Sequence, residues 1–363
     1  MSKDLQIVEV KAFQRIGPIG DIGLRAFFQL YTKAKEIILK QQIQFLYIPI
    51  PSFYVALLGR WLHNSTNIEY GIDYIDPWVH EFPGSEKTFS RHWFTTHLAK
   101  VLEPIALKKA ALITGVAEGY YQAVLHRNPR LKNTAVIGAL PYGGDAKDHE
   151  MVEDLNLTPY LFEKKIGKFQ FVYAGAMLPK AYEPLEYILQ CIAANTDVFE
   201  NIEFHFIGTG KVAGDPESYN IRPLAEKYGL WKSVIFEYPA RIPYLDVLVH
   251  LNTADAAFIL GSTEAHYTPS KVYQAILAKK PVMAVLHENS TAAIVVQQSN
   301  AGVVLSMNEH NVDHLQNSFM DSLKAFKQFA KDFKPEMVNK AFFEEYSAYA
   351  ATQKLVKLLN EVK

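Results

Sequence analysis

Short apolar runs rich in Val, Ile, Phe and Tyr alternate along the 363-residue chain with longer segments whose apolar positions recur at helical period. A strand buried on both faces reads as a continuous apolar run, so this alternation predicts parallel sheets covered by helices, an α/β protein. In the first half, strands are expected at residues 5–10, 44–49, 67–72, 111–115 and 134–137, with the clearest helix over 24–40. The second half predicts strands at 169–174, 202–207, 234–238, 256–260, 281–285 and 302–305, enough for a complete doubly wound unit. Turn-prone and charged residues over 143–168 interrupt the pattern and place a domain linker there. The expected division is an N-terminal domain over 1–155, a second domain over 165–340 and a C-terminal helix over 341–363 that packs back towards the first.

Composition narrows the function classes. With 37 basic and 38 acidic residues the net charge is -1, so no global field draws nucleic acid or an anionic membrane, and any anion site must be local. A single cysteine, Cys191, cannot form an internal disulfide and fits a reducing cytoplasm. The opening MSKDLQIVEV does not read as a signal peptide, and no run of about eighteen apolar residues suggests a span. A cytoplasmic protein is expected, with any membrane contact peripheral to the inner face.

The richest segment is AHYTPSKVYQAILAKKPVMAVL at 265–286. Thr268 can cap a helix, Pro269 suits its first position, and the helix is expected to begin near Ser270. Its free N–H groups, the Ser270 hydroxyl and the Lys271 ammonium would together suit a nucleoside diphosphate. Cap chemistry alone favours the plainer reading, a capped core helix with an exposed lysine, because such caps are common in α/β proteins. Position favours the ligand, because the segment follows a strand ending at Leu260, and parallel sheets bind ligands beyond their carboxyl ends. Three further turns are expected on that edge: Gly175 and Lys180 in FQFVYAGAMLPK, Gly208 and Gly210 in FHFIGTG, and Tyr238, Arg241 and Ile242 in VIFEYPARIP. Arg241 by itself reads as a solvated loop residue.

In the first half, NIEYGIDYIDPWVHEF runs a strand into Asp73 and Asp76 before Pro77 stops it. Carboxylates there suit a base or an acceptor clamp, or simply form a turn. The segment 81–100 interleaves aromatics with Lys87, Arg91, His92, His97 and Lys100; it reads as a packed lid and helix, or as a surface for a lipid-linked acceptor or membrane. Five strands are fewer than such a domain usually holds. Either residues 5–10 and the following RIGPIGDIG are a degenerate opening, or the chain begins inside the domain.

Taken in order, VYAGAM, HFIGTG, FEYPARIPYLDVLVHLNTADAAFIL and PSKVYQAILAKKPVMAV resemble the nucleotide-binding domain of the GT-B glycosyltransferases, especially the retaining family GT4 or group 1. The resemblance covers 169–307 well and the rest thinly. It implies two Rossmann-like, doubly wound parallel-sheet domains facing a cleft, with the donor diphosphate against Ser270 and Lys271 and the base near Tyr238 to Ile242. It implies no cofactor beyond the sugar nucleotide. No metal motif is seen, so Lys271, Arg241 and Lys180 would replace a cation. Family members often carry two glutamates eight residues apart; here His266 and Gln274 occupy those positions, with Glu264 two residues earlier. The run from Asp73 to Trp78 is similar to an Asp-x-Arg-Asp-x-Trp segment of some relatives, with Ile75 where arginine is usual. That makes Asp76 the first acceptor-side acid, then Asp73 and His80. The implied function is retaining, metal-independent hexosyl transfer from a nucleoside-diphosphate sugar to a glycan or lipid-linked saccharide in cell-envelope polysaccharide assembly. The alternatives are a non-catalytic nucleotide- or partner-binding protein, which His266 and Gln274 support, and a sugar-nucleotide epimerase.

Overall fold

The computed structural model describes residues 5–15, 17, 20–79 and 87–362. The chain divides into two compact units, Met1–Pro141 with Gln353–Lys363, and Tyr142–Thr352.

Unit 1 holds α1 (Ile22–Gln41), β1 (Phe45–Pro49), α2 (Ala56–Thr66), β2 (Glu69–Tyr74), α3 (Arg91–Ala106), β3 (Leu112–Gly115), α4 (Glu118–Arg127), α5 (Leu131–Thr134) and β4 (Val136–Ala139). Its four strands are parallel and lie in chain order, so among the described residues this sheet has no reversal of strand order. The strand expected at 5–10 does not form: Leu5 and Ile7 are 61% and 59% exposed, and alternation without a neighbouring ladder makes no strand. Asp21 starts α1, its Oδ1 accepting from the Leu24 N–H at 2.7 Å and from the Ser52 hydroxyl at 2.7 Å, which ties the helix to the turn after β1. Phe27 and Ile38 of α1 pack on Leu58 and Leu62 of α2.

The α3 helix starts at Ser90, whose Oγ accepts from the Trp93 N–H at 3.0 Å, and buries Thr96, Ala99, Glu103 and Ala106 along one face. Glu103 is fully buried, and Arg127 clasps it with two hydrogen bonds of 2.8 and 2.9 Å. Burial, with Glu103 beside it, drives the Tyr74 phenol far above its ordinary range.

Unit 2 contains α6 (Ala146–Asp154), β5 (Phe169–Ala174), α7 (Tyr182–Ala193), α8 (Thr196–Phe199), β6 (Ile202–Ile207), α9 (Arg222–Lys227), β7 (Ile235–Tyr238), α10 (Tyr244–Thr253), β8 (Ala256–Leu260), α11 (Lys271–Leu277), β9 (Val282–His287), α12 (Thr291–Gln298), β10 (Gly302–Met307), α13 (Leu315–Asp332) and α14 (Lys340–Glu344). The last helix, α15 (Ala348–Glu361), begins in this unit and passes to unit 1 at Gln353. The stretch read as a linker instead contains α6, which Asp145 caps by accepting from the Lys147 N–H at 3.0 Å.

All six strands are parallel, in the order β10-β9-β8-β5-β6-β7, so the strand order reverses where β5 meets β8. Side-chain alternation divides the core. Phe171, Phe204, Phe206 and Phe258 meet Phe319 and Phe326 of α13 on one face, while Val172, Ile207 and Ile259 meet α10, α11 and α12 on the other. On that second face β6 also buries Glu203 and His205. The His205 ring stacks on Phe162 at 4.0 Å, its Nε2 donates to Glu203 at 3.2 Å, and its Nδ1 accepts from the Tyr238 hydroxyl at 3.2 Å. Burial, only partly offset by Glu203, pulls the His205 pKa down to about 4.

Two outcomes follow from these buried groups. Arg127→Met leaves the Glu103 carboxylate buried without its partner and should cost about 3–5 kcal/mol in urea unfolding; a midpoint within error of the parent would contradict this. The folded His205 pKa lies below its unfolded value, so between about pH 6.5 and about pH 4 the unfolded chain binds the extra proton and stability falls as pH drops through that window. The His205 ring resonances should accordingly stay those of a neutral imidazole until pH nears about 4; titration in the ordinary histidine range would refute the assignment.

Candidate functional site

The strand order reverses between β5 and β8, and in doubly wound sheets ligands bind at the carboxyl edge of such a reversal. Gly175 follows β5 there with φ +118°, a conformation closed to other residues, and its N–H donates to Ile207 O at 2.7 Å. A Cβ at Gly175 would stand 2.6 Å from Lys271 Cε, so glycine makes room for that lysine. Lys271 Nζ donates to Ala176 O at 3.1 Å and lies 4.9 Å from the centre of the buried Tyr173 ring. None of the ion pairs among the described residues includes Lys271. The side chain is only half-buried, yet loss of water around its ammonium pulls the pKa down to about 8. A cation made costly by desolvation and answered by no carboxylate is one that an incoming anion stabilises.

The helix terminus differs from the expectation. α11 has seven residues, its N-cap is Ser270 rather than Thr268, and Ser270 has helical dihedrals and makes no capping bond with its side chain. The Val272 and Tyr273 N–H groups donate to Pro269 O and Ser270 O at 3.3 Å each, a tight first turn that uses two of the amides expected to be open. Thr268 is 2% exposed, whereas Ser270 is exposed. The amides expected to meet an anion here are thus partly spent within the helix, whereas the Lys271 ammonium enters no ion pair among the described residues.

Beyond β6, Gly208 takes φ +72°, and a Cβ there would lie 3.8 Å from Arg241 Cα and 3.9 Å from Gly175 Cα. Gly175, Gly208, Arg241 and Lys271 therefore converge on one edge, with Arg241 exposed. Gly210 has a different reason to be glycine: a Cβ would stand 2.6 Å from Ser218 Oγ and 2.7 Å from Pro239 O, so it packs against protein. The Tyr238 hydroxyl is committed to His205 and burial raises its pKa, so towards a base it can offer its ring edge and backbone. Ile242 packs on the aliphatic core. Glu264 accepts from the Ser262 hydroxyl at 3.2 Å and lies 3.9 Å from Lys180 Nζ, pairing the exits of β5 and β8. His266 sits in the turn that Tyr267 N closes on Glu264 O at 3.1 Å. Gln274 accepts from His149 Nε2 through its carbonyl oxygen at 3.0 Å, and its amide nitrogen lies near Gly144.

In unit 1 the ladder carries β2 through Asp73, which pairs with Pro49 and Thr114, so this acid lies inside the strand and not beyond it. The Tyr47 and Thr114 hydroxyls are 2.9 Å apart, and Thr114 donates to Asp73 Oδ1 at 2.7 Å. Burial raises the Asp73 pKa against the lowering effect of those hydroxyls. Asp76 is exposed in the bend that follows, and Trp78, 5% exposed and stacked on Phe53, anchors that bend. His80 and residues 81–86 lie outside the described residues. A cavity of about 700 Å³ opens at the opposite, amino edge of this sheet beside Glu69, Lys108 and Arg130, away from Asp73.

Tyr173, His149, Tyr47 and Thr114 escaped the sequence reading. Each supports a neighbour through strand register or a long-range contact, and only the Thr114 register could have been anticipated, from aligning the adjacent strands 67–72 and 111–115.

No family model matches the sequence, and no curated protein matches it by sequence. Solved structures do match in three dimensions. A UDP-forming α,α-trehalose-phosphate synthase from Burkholderia xenovorans superposes with TM-score 0.61 at 11% identity, covering 93% of this chain and 80% of that one. Sucrose-phosphate synthase from Thermosynechococcus elongatus gives 0.64 at 13%, covering 98% and 82%. A glycosyltransferase from Rickettsia africae ESF-5 gives 0.61 at 13%, covering 96% and 84%. Such low identity establishes the fold alone. The chain has the GT-B fold, with two parallel-sheet α/β units.

Proposed function

We propose that the protein transfers a sugar from a nucleoside-diphosphate sugar to a hydroxyl of a glycan or lipid-linked saccharide, with the donor diphosphate beside Lys271 in unit 2. The observation that carries this reading is the placement of the Lys271 ammonium, its stem in the space left by Gly175 and its charge in no ion pair among the described residues, at the strand-order reversal of a doubly wound sheet. In the reaction the acceptor oxygen bonds to the anomeric carbon as the bond from that carbon to the β-phosphate oxygen breaks. The acceptor proton goes to a base or to the departing diphosphate. Lys271, with Arg241, stabilises the charge that grows on the leaving group, which suits a retaining reaction without a metal ion. Asp73 is the acceptor-side base in this scheme, since burial raises its pKa and Thr114 orients it; Asp76 follows it in the chain and is exposed. No helix among the described residues is long and apolar enough to cross a membrane. The proposed setting is cell-envelope polysaccharide assembly, in the cytoplasm or at the inner face of the membrane.

A second reading, nucleotide binding without turnover, draws support from Gln274, whose carbonyl is held by His149, and from His266 where related enzymes often carry an acid.

Thermal shift with UDP, GDP, ADP and CMP compounds and their sugars tests the donor site, with UDP first because one structural neighbour is UDP-forming. One nucleotide class should raise the melting temperature, and Lys271→Met should weaken its binding about 10–100-fold, the worth of a charge-assisted hydrogen bond. An equal shift in parent and variant would sink the site. Lys271 loses its charge as pH rises through about 8, so affinity should fall from neutral to alkaline pH in the parent and stay flatter in Lys271→Met. Asp73→Asn should lower transfer at least about 100-fold while leaving the donor shift intact. Unchanged transfer in that variant with collapse in Asp76→Asn would restore Asp76 to first place, and binding without transfer in the parent would favour the second reading.

A further inference from the structure

The α3 helix has a second face. Opposite the buried Thr96, Ala99, Glu103 and Ala106, the residues Phe94, Leu98, Val101 and Ile105 recur at spacings of four, three and four and are 54%, 45%, 61% and 47% exposed. Phe89, just before the helix, extends this stripe with 75% exposure. Its φ of +64° is a left-handed conformation that costs a bulky residue strain, so the chain holds an aromatic ring in water at an energetic cost. The Phe89, Trp93 and Phe94 rings brace one another at 5.0 to 6.1 Å. Together the five residues expose on the order of 500 Å² of apolar surface, near the upper end for a single patch on a soluble monomer.

Charge identifies what would cover it. Between residues 87 and 117 the basic residues are Lys87, Arg91, Lys100, Lys108 and Lys109, while the only acid is Glu103, which is buried and committed to Arg127. All five basic residues are exposed. In a chain of net charge -1 this segment is locally basic; Lys108 and Lys109 share a cavity lining with Glu69 and Glu361, so the charge offered to an outside partner is that of Lys87, Arg91 and Lys100. Arg91 lies three residues before Phe94 on the helix, where its stem can lie along apolar surface and its charge reach out to phosphate.

We propose that α3, with Phe89, is an interfacial helix that docks unit 1 on an anionic lipid bilayer, the apolar stripe entering the headgroup and acyl boundary and the flanking Lys and Arg pairing with lipid phosphates. This does not depend on the donor chemistry assigned to Lys271; it adds a site at which the acceptor could be lipid-borne.

Flotation of the full chain with vesicles tests it. Binding to phosphatidylcholine vesicles containing phosphatidylglycerol should exceed binding to pure phosphatidylcholine and weaken with added salt. Phe94→Glu with Val101→Glu should reduce binding at least about tenfold, and Lys87→Gln with Arg91→Gln should weaken the preference for anionic vesicles about fivefold per charge. Circular dichroism melts should match the parent, because these side chains are exposed. Should the Glu variant melt early, Phe94→Ser with Val101→Ser replaces it. Equal flotation of parent and folded variants would overturn the proposal. So would a concentration-dependent dimer in light scattering that the same variants dissociate, since the stripe would then be an interface between two copies. Nucleotide thermal shifts should be unchanged in every α3 variant, which keeps a failure here distinct from a failure of the donor site.

Discussion

Withdrawing water from an ammonium is expensive, and a protein that does so without supplying a carboxylate has left a charge to be met from outside. Lys271 is in that position. Its stem occupies the space that Gly175 leaves by lacking a Cβ, its ammonium rests over Tyr173 and on the Ala176 carbonyl, and its pKa falls to about 8. Each of those supports comes from β5 or the turn after it, so the position of the charge depends on the strand order that puts β5 against β8. The aromatic core on one face and the aliphatic core on the other hold that order, because β6, β8 and β9 are buried along their whole length.

The polar network under this edge works to a different end. Glu203, His205 and Tyr238 satisfy one another inside the fold, and Glu237 accepts from the N–H groups of Ile221 and Arg222 at 2.9 and 2.8 Å where α9 begins. A carboxylate from the protein thus fills the amino end of α9, whereas nothing equivalent neutralises Lys271. Two cationic groups at one sheet edge are treated differently, a contrast that supports the donor site proposed at Lys271.

Legibility in the sequence followed burial. The strands of unit 2 were readable to within two residues because fully buried parallel strands are unbroken apolar runs, and Gly175 and Gly208 follow directly where two of those runs stop. Unit 1 was less readable. The apolar alternation at 5–10 has no ladder partner among the described residues, and the end of β2 was read too early because Asp73, a polar residue, continues the strand through its pairing with Thr114. Helix α11 was placed correctly but its cap was not, since the tight turn from Pro269 substitutes backbone bonds for the Thr268 side chain. The locking of Gln274 by His149 joins residues 125 apart in the chain and has no local signature. The stripe on α3 was visible as interleaved aromatic and basic residues, but only the structure separates its buried face from its exposed one.

Above about pH 8 a diphosphate bound beside Lys271, as proposed, should raise the protonation of its amine. Calorimetric titration of the best-binding nucleoside diphosphate at about pH 8.5, in two buffers of different ionisation enthalpy, counts the protons exchanged. Net proton uptake by the parent, lost in Lys271→Met, is the result expected if the phosphates meet Lys271. Binding with no uptake, or with uptake unchanged in the variant, would place the anion elsewhere and remove the basis for the donor site.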